Sequence, residues 1–277
     1  MLALSNKRTN MSKVALVTGA SSGIGKAVAL ELRNEGFTVF GASRKVTTGI
    51  VENDIIQLKM DVNSEPSVKA AVDYIIQEQG KIDVVINNAG LGIIGAVESV
   101  SDEEVKEIFD TNVFGVLNVC RHTIPYLKKQ SKSYIFNITS IAGLMGLPFR
   151  GIYSASKYAV EGLSESLSQE VKDFGIKVIL IEPGDFNTNI NQTRKIAKNT
   201  PEEYLELENK VLDQVNREVS SAPNPSLIGR KIISIMKKRY PRLRYKVATP
   251  FQKFSVLTRD IIPDRWFEYL IMWYYKV

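Results

Sequence analysis

The chain has 277 residues, 44% of them hydrophobic and 24% charged, a composition typical of a soluble globular protein with one sizeable core. Its single cysteine, Cys120, excludes an internal disulfide, and a single histidine, His122, limits histidine chemistry. No stretch reaches the roughly 20 apolar residues of a membrane span, and the tail of residues 1–12 lacks the apolar run of a secretory signal. We therefore expect a cytoplasmic protein without a metal centre.

The net charge of +6 is unevenly distributed along the sequence. Residues 230–259, called here the basic segment, contain ten basic residues and no acidic one. A solvated surface explains such a segment, and contact with an anionic partner, such as a phosphorylated ligand or an acidic membrane face, is the alternative. No nucleic-acid-binding motif surrounds it, so we do not expect DNA or RNA binding.

Short apolar runs alternate with helical patterns from residue 13 to about residue 182. Strands are predicted at KVALVT, TVFGAS, IIQLKMDV, IDVVINN, YIFNIT and KVILIEP, with helices between them. Ser101 and Glu104 predict a capping box at the start of one helix, and the long helix that contains YSASK is predicted to end at Gly175. The strands are almost continuously apolar, as in a parallel sheet covered by helices on both faces. The predicted fold is a doubly wound α/β sheet.

This alternation stops after Gly184, where a polar stretch precedes two further helical patterns. The first is predicted to begin with Thr200 as its cap and Glu203 closing a capping box, and the second lies in NPSLIGRKIISIMKK. Ligands of an open α/β sheet bind beyond the carboxyl ends of its strands. Residues about 185–240 are therefore a predicted lid, inserted in one domain of residues 13–250. The string LRYKVAT predicts a last strand.

Residues 251–277 form a predicted C-terminal extension that is helical from about Asp264. This helix would place on one apolar stripe the residues Trp266, Phe267, Leu270, Ile271 and Tyr274. Packing on the core or on a partner subunit is one interpretation. Shallow membrane contact, aided by the basic segment, is the other.

The first strand runs directly into TGASSGIG, which contains Gly19, Gly23 and Gly25. Glycines at a strand-to-helix turn allow a ligand to approach the backbone closely, and the helix N-terminus offers free N–H groups to a pyrophosphate. A plain structural turn is the competing interpretation, because the spacing differs from G-x-G-x-x-G.

The end of the second strand indicates which dinucleotide would bind. An NAD enzyme usually has an acidic residue here, but this chain has Ser43, Arg44 and Lys45. A guanidinium can hold a 2′-phosphate that a carboxylate would repel. The pattern therefore favours NADP(H) over NAD.

Several short motifs, taken together, resemble in order and spacing the compact form of the short-chain dehydrogenase/reductase family. They are TGASSGIG, NNAG at residues 87–90, Asn112, Ser140, the Tyr153/Lys157 pair, and PG at residues 183 and 184. The resemblance covers roughly residues 13–190 and implies an NADP-dependent oxidoreductase. The cofactor-binding residues that it implies are Gly19, Ser21, Ser22, Gly23, Ile24, Gly25, Ser43, Arg44, Lys45, Asp61, Val62, Asn88, Ala89, Gly90, Tyr153, Lys157, Pro183, Gly184 and Thr188.

The same resemblance implies a proton relay of Asn112, Ser140, Tyr153 and Lys157. Hydride delivery to a carbonyl leaves charge on its oxygen, which needs a proton from a nearby acid. A free tyrosine, with a pKa of about 10, holds its proton too tightly near neutral pH, and a neighbouring ammonium favours the phenolate. Tyr153 and Lys157, four apart on a helix, would lie side by side. Ser140 would hydrogen-bond the substrate oxygen, and Asn112 would hold a water that links Lys157 to solvent.

The substrate and the assembly are predicted less directly. Apolar residues near the expected cleft are Leu144, Met145, Leu147, Phe149 and Phe186. With the long lid they favour a lipophilic alcohol or ketone, and the C-terminal layout is similar to family members that act on steroids, retinoids or other lipids. The resemblance also implies a homodimer or homotetramer through the two long helices that contain Asn112 and Tyr153.

Three other activities are compatible with parts of this sequence. A 3-oxoacyl-thioester reductase of the same family shares the core motifs. A catalytically silent NADP-sensing module would typically lack the tyrosine or the lysine, and both are present here. Serine hydrolysis is a poor rival, because NITSIAG lacks the G-x-S-x-G elbow.

Overall fold

The central strand of the molecule, β1 (Val14–Thr18), consists of five consecutive buried residues, as expected when helices cover both faces of a sheet. The structure is a computed structural model and describes residues 12–188 and 194–276. The other described strands are β2 (Thr38–Ser43), β3 (Val51–Glu52), β4 (Ile55–Lys59), β5 (Val84–Asn87), β6 (Ile93–Ile94), β7 (Ser133–Ile138), β8 (Ile176–Pro183), β9 (Lys195–Ile196) and β10 (Arg244–Val247).

Eight strands form one sheet in the order β10-β8-β7-β5-β1-β2-β4-β3. All neighbours in it are parallel except β3 and β4. Because β1 pairs with β2 on one side and with β5 on the other, the connections diverge and a crevice opens at the carboxyl ends of the central strands. The predicted doubly wound α/β fold is confirmed, including the last strand in LRYKVAT. A separate two-stranded sheet, β6 with β9, was not predicted.

Helices cover both faces of the sheet. The described α-helices are α1 (Gly23–Asn34), α2 (Glu65–Gln79), α3 (Asp102–Phe109), α4 (Gly115–Leu127), α5 (Gly151–Glu170), α6 (Glu202–Ser221), α7 (Ser226–Met236), α8 (Pro250–Arg259) and α9 (Asp264–Tyr275). Apolar residues of α2, α4 and α5 pack on one face of the sheet, and those of α1 and α7 pack on the other. Within the described ranges, no helix combines the length and the apolarity that crossing a bilayer requires.

A third apolar cluster joins α6, α8 and α9 to the turn that follows β7. It includes Ile141 of that turn, Val215 of α6, Val256 of α8 and Ile271 of α9. These three helices therefore lie beyond the carboxyl end of β7. Helix α7, which the predicted lid included, instead packs against α1 in the layer that covers the sheet, and residues 189–193 of the lid lie outside the described residues.

Helix ends differ from the prediction in two places. The capping box of Ser101 and Glu104 is confirmed. The one predicted at Thr200 is wrong, because α6 begins only after Pro201 and the Thr200 hydroxyl donates instead to Glu208, at 2.9 Å. The helix that contains YSASK ends at Glu170, and a 3₁₀ turn follows it before Gly175.

Most of the basic segment lies far from the C-terminal helices. Residues 237–243 connect α7 to the amino end of β10, whereas α8 follows the carboxyl end of the same strand. Several of its cations form ion pairs, among them Arg230 with Glu31, and Lys237 with Glu35. Residues 237–243 of the segment therefore lie at the amino end of β10, whereas its last ten residues form α8 beyond the carboxyl end of that strand.

Candidate active site

The turn between β1 and α1 is packed too closely against the protein's own backbone to admit side chains at Gly19 and Gly25. Gly19 has a φ of +65°, and a Cβ on it would lie 2.9 Å from the Cα of Ala89. A Cβ on Gly25 would lie 2.3 Å from the carbonyl oxygen of Gly19. Ser22 precedes α1 without capping it through its side chain, and the first turn of α1 contains no acidic residue. The positive end of the helix is thus available to an anion.

The predicted NNAG segment is hydrogen-bonded to this turn. The Thr18 hydroxyl accepts from the backbone N–H groups of Asn88 and Ala89, both at 2.9 Å. The Asn88 amide nitrogen donates to the carbonyl of Thr18 at 2.9 Å and to that of Gly19 at 3.2 Å. These bonds fix the ends of β1 and β5 against each other, and they form the floor of the crevice.

The carboxyl ends of β2 and β4 carry the predicted specificity residues. Arg44 and Lys45 follow β2 and are exposed. The buried hydroxyl of Ser43 has no hydrogen-bond partner among the described residues. Asp61 and Val62 follow β4, which pairs in parallel with β2. These residues therefore lie together at the carboxyl ends of two neighbouring parallel strands.

Asn112 lies on a π-helical turn, residues 110–114, that joins α3 to α4. The buried side chain accepts from the N–H of Leu91 at 2.8 Å and donates to the Leu91 carbonyl and to the Ser156 hydroxyl, both at 2.9 Å. It therefore ties the loop after NNAG to α5. Sequence reasoning predicted a helix here but not this turn, and π-turns of this kind often re-aim functional side chains.

Lys157 and Tyr153 lie one helical turn apart near the start of α5. Lys157 is 6% exposed, and its ammonium donates to the carbonyl of Ile138 at 3.0 Å and lies 5.8 Å from the centre of the Tyr153 ring. A Cβ on Gly90 would lie 3.6 Å from that ammonium and 3.2 Å from the Asn112 side-chain oxygen. Asn112 and Lys157 thus border the same space beside Gly90. The predicted water between them stays a prediction.

Ser140 follows β7 and begins a 3₁₀ turn. Its buried hydroxyl accepts from the N–H of Ala142 at 3.1 Å and donates to the carbonyl of Pro183 at 3.5 Å. Gly143 in the same turn packs against the backbone of Lys157 so closely that a Cβ would lie 3.1 Å from it. The ends of β7 and β8 and the start of α5 therefore meet at one place.

Ser140 and Tyr153 line one end of a pocket, where Pro183 and Gly184 also contribute. Thr188 and Ile24 line the same pocket, and a Cβ on Gly23 would lie 3.3 Å from the Cβ of Thr188. Its apolar walls include Met145, Leu147, Phe186, Phe254, Leu270 and Trp273. Of the five apolar residues expected at the cleft, Leu144 and Phe149 do not line it, because they pack beside it in the third cluster.

Four charged residues in the pocket were not predicted. Arg150, Asp185, Arg194 and Glu218 all line it, and the Arg150 guanidinium lies 5.5 Å from the centre of the Tyr153 ring. Burial raises the pKa of the Glu218 carboxyl, and burial followed by repulsion from Arg150 lowers the pKa of Arg194. Asp185 directly follows the predicted PG motif and was within reach of sequence reasoning.

Cys120 and His122 lie outside this pocket. Burial raises the pKa of the Cys120 thiol to about 12, which leaves it protonated and unreactive. His122 has its Nε2 3.3 Å from a carboxylate oxygen of Glu65 on the neighbouring α2. In the described part of the chain, no three acidic, histidine or cysteine side chains are grouped as a metal site.

A doubly wound sheet with a glycine turn, a serine and a tyrosine–lysine pair at its carboxyl edge defines a nicotinamide-dependent oxidoreductase. The family model described as short chain dehydrogenase matches residues 13–199. The chain therefore belongs to the short-chain dehydrogenase/reductase family, whose members bind a nicotinamide cofactor.

Similar proteins agree with this assignment. A 3-ketodihydrosphingosine reductase of Bacteroides thetaiotaomicron is 41% identical over 96% of this chain and 98% of its own length. The human 17-beta-hydroxysteroid dehydrogenase type 1 is 31% identical over 91% of this chain and 81% of its own. A solved short-chain dehydrogenase/reductase of Burkholderia phymatum, in complex with NAD, is 26% identical over 90% of this chain and 93% of its own, with a TM-score of 0.78.

Proposed function

We propose that the chain is an NADPH-dependent reductase of a ketone on a long-chain lipid, and that it also runs the reverse alcohol oxidation. One observation carries this proposal: Ser140 and Tyr153 line a pocket whose remaining surface is mainly apolar and includes residues of the turn after β7, of α8 and of α9. Extensive apolar walls favour a lipophilic ligand, and the four charged side chains occupy the smaller part of the lining. The similarity to the Bacteroides enzyme makes 3-ketodihydrosphingosine the first substrate to test.

The residues at the end of the pocket have separate tasks in this reaction. Bound NADPH supplies a hydride to the carbonyl carbon. The Ser140 hydroxyl donates a hydrogen bond to the substrate oxygen and stabilises its developing charge. Tyr153 gives that oxygen a proton, and the Lys157 ammonium stabilises the negative charge left on the phenol oxygen. Asn112 keeps the path from Lys157 towards solvent in place through its bonds to Leu91.

The preference for NADPH rests on the ends of β1 and β2. The start of α1, which has no acidic residue in its first turn, suits a pyrophosphate. The unpaired hydroxyl of Ser43 and the exposed guanidinium of Arg44 suit the phosphorylated ribose. Lys45 adds a second positive charge at the same edge.

The test measures the rate of NADPH oxidation, monitored by absorbance, with each substrate of a panel. It compares 3-ketodihydrosphingosine with a ketosteroid, a retinoid aldehyde, a 3-oxoacyl thioester and short water-soluble ketones. We expect the highest kcat/KM for the long-chain ketone, because its chain occupies the apolar walls. A preference for the 3-oxoacyl thioester would replace the proposed substrate class. Inactivity of the purified chain towards the whole panel would contradict the enzymatic proposal.

A further inference from the structure

The two C-terminal helices carry exposed apolar stripes on their outer faces. On α8 the stripe contains Phe251, Phe254 and Leu257, and Ile261 extends it beyond the helix end; on α9 it contains Trp266, Tyr269, Leu270 and Trp273. Within each helix these residues recur every three or four positions, which places them on one face. We call these eight residues the apolar patch. Exposed apolar patches of this extent commonly mark interaction sites.

The patch is not required to build the core of the molecule. The opposite faces of the same helices are buried, through Val256 on α8 and through Ile271 and Tyr275 on α9. The single stripe predicted for α9 is therefore wrong, because Phe267, Ile271 and Tyr274 pack in the cluster whereas Trp266 and Leu270 are exposed. These buried residues pack in the third apolar cluster with α6. The exposed stripes are therefore additional to what holds the helices in place.

The patch is continuous with the substrate pocket. Phe254, Leu270 and Trp273 belong to both, and the same pocket extends to Ser140 and Tyr153. A ligand on the patch therefore contacts residues of the pocket that also contains Ser140 and Tyr153. The geometry points to a source of substrate that itself contacts the patch.

We propose that the apolar patch docks the protein on the surface of a phospholipid bilayer and that the lipid substrate enters the pocket directly from it. Tryptophan and tyrosine suit this position, because their rings are apolar and their N–H and O–H groups stay at the hydrated boundary. The charges around the stripes are balanced, because the exposed cations Lys253, Arg265 and Lys276 are matched by the exposed acids Asp260, Asp264 and Glu268. Docking would therefore depend on the apolar side chains rather than on charge. This inference rests on the proposed function only for the lipid nature of the substrate.

A second copy of the chain fits this surface less well. A protein partner that covered Phe254 and Trp273 would also close the pocket where they line it. The oligomer implied by the family resemblance uses the helices of Asn112 and Tyr153, whereas the patch belongs to α8 and α9. Bilayer lipid, by contrast, covers the patch and remains exchangeable with the pocket.

The chain offers a direct reporter of docking. Its two tryptophans, Trp266 and Trp273, are both in the patch, 73% and 77% exposed. Tryptophan emission is recorded for the full chain as phosphatidylcholine vesicles are added, with and without phosphatidylglycerol, and binding is measured separately by vesicle flotation. We expect a blue shift with both vesicle types, and quenching when the lipids carry bromine on their chains. No shift and no flotation with either vesicle would overturn the proposal.

A double variant separates docking from catalysis. Ile261→Glu with Trp266→Glu places two charges on patch residues that do not line the pocket, so turnover of a short water-soluble ketone without vesicles should be unchanged. Flotation should be lost, and the rate on long-chain ketone presented in vesicles should fall by about tenfold or more, because charged side chains resist insertion. The matched control is Tyr240→Glu, since Tyr240 is 76% exposed and precedes the amino end of β10.

Unchanged flotation of the double variant would overturn the proposal, and so would equal loss in the Tyr240→Glu control. Two results together would show a protein interface instead. The first is a blue shift that depends on protein concentration in the absence of vesicles, and the second is a dimer detected by sedimentation for the wild type but not for the double variant. If neither the long-chain ketone nor the short ketones are reduced, the proposed function fails. Vesicle binding then still tests whether the apolar patch docks on a bilayer, because it does not depend on turnover.

Discussion

The ammonium of Lys157 lies 5.8 Å from the centre of the Tyr153 ring while it donates a 3.0 Å hydrogen bond to the carbonyl of Ile138. That bond runs to the last residue of β7 and holds the cation in a buried position. This bond fixes the Lys157 nitrogen close to the Tyr153 ring. The proposed proton transfer depends on this arrangement.

Replacement of Lys157 tests this dependence. In Lys157→Met the side chain keeps its apolar stem and loses its charge, so negative charge on the phenol oxygen is no longer stabilised. We expect kcat for NADPH oxidation to fall by about 100-fold or more at neutral pH. Lys172→Met, in the 3₁₀ turn after α5, is the matched control. A kcat within a factor of about two of the wild-type value would show that the ammonium is not needed.

Arg44 is expected to decide between the two nicotinamide cofactors. Arg44→Ala removes the exposed guanidinium at the end of β2 and with it a charge-assisted contact to a 2′-phosphate. The Kd for NADPH, measured by fluorescence titration, should rise by roughly 10–100-fold, and the Kd for NADH should change little. Arg239→Ala, at the opposite edge of the sheet, should affect neither. Equal weakening of both cofactors would refute the assignment of NADPH.

Glu182 should make stability depend on pH. Its side chain is fully buried, and burial followed by repulsion from Glu161 raises the pKa of its carboxyl from 4.5 to about 7. The folded chain therefore binds this proton more tightly than the unfolded chain. The stability contributed by the group is complete below about pH 4.5 and is lost as the pH rises to about 7.

Urea unfolding of Glu182→Gln measures this contribution. Between about pH 5 and pH 8 the wild type should lose about 2 kcal/mol more stability than the variant, because glutamine does not titrate. Glu165→Gln is the control, since its side chain is 50% exposed and contacts the same Arg244. If the pH profiles of the wild type and of Glu182→Gln coincide, the Glu182 carboxyl is already ionised in the folded protein at the low end of this pH range.

The glycine turn allows a test of cofactor binding by shape alone. A Cβ at Gly25 would lie 2.3 Å from the Gly19 carbonyl and 2.4 Å from the Asn88 amide nitrogen, so Gly25→Ala must displace the floor of the crevice. We expect NADPH affinity to fall at least about tenfold, with a lower Tm. At Gly162, within α5, a Cβ meets nothing within 4 Å, and Gly162→Ala should raise Tm or leave it unchanged. Normal NADPH binding by Gly25→Ala would mean that the cofactor does not use this turn.

The sheet was predictable from sequence because its strands are apolar throughout and its motifs lie at strand ends. The starts of helices were less predictable than the sheet, as two segments with similar sequences demonstrate. Thr200-Pro-Glu-Glu and Thr249-Pro-Phe-Gln have the same capping pattern, yet only Thr249 and Gln252 form the box. The Thr200 hydroxyl instead bonds Glu208, two turns into the helix. Local patterns do not reveal whether a threonine hydroxyl will accept from the first turn of the helix or donate to a carboxylate further along it.

The site was predictable where one motif supplies both backbone and side chain, as with Tyr153 and Lys157. Its charged walls were not, because Arg150, Arg194 and Glu218 come from three separate segments. Arg150 follows Phe149, which has an unusual φ of +56°, and a pattern of residue types does not encode such a turn. The patch on α8 was missed for a simpler reason, since that helix itself was not predicted.

The rate of NADPH oxidation by Tyr153→Phe tests the central claim most directly. The measurement uses the best substrate of the panel and is paired with a titration of NADPH binding to the same variant. We expect kcat to fall by about 10²- to 10⁴-fold, because phenylalanine has no proton to give, while the Kd for NADPH stays close to the wild-type value. A variant that retains the wild-type rate with intact cofactor binding would contradict the assignment of Tyr153 as the proton donor.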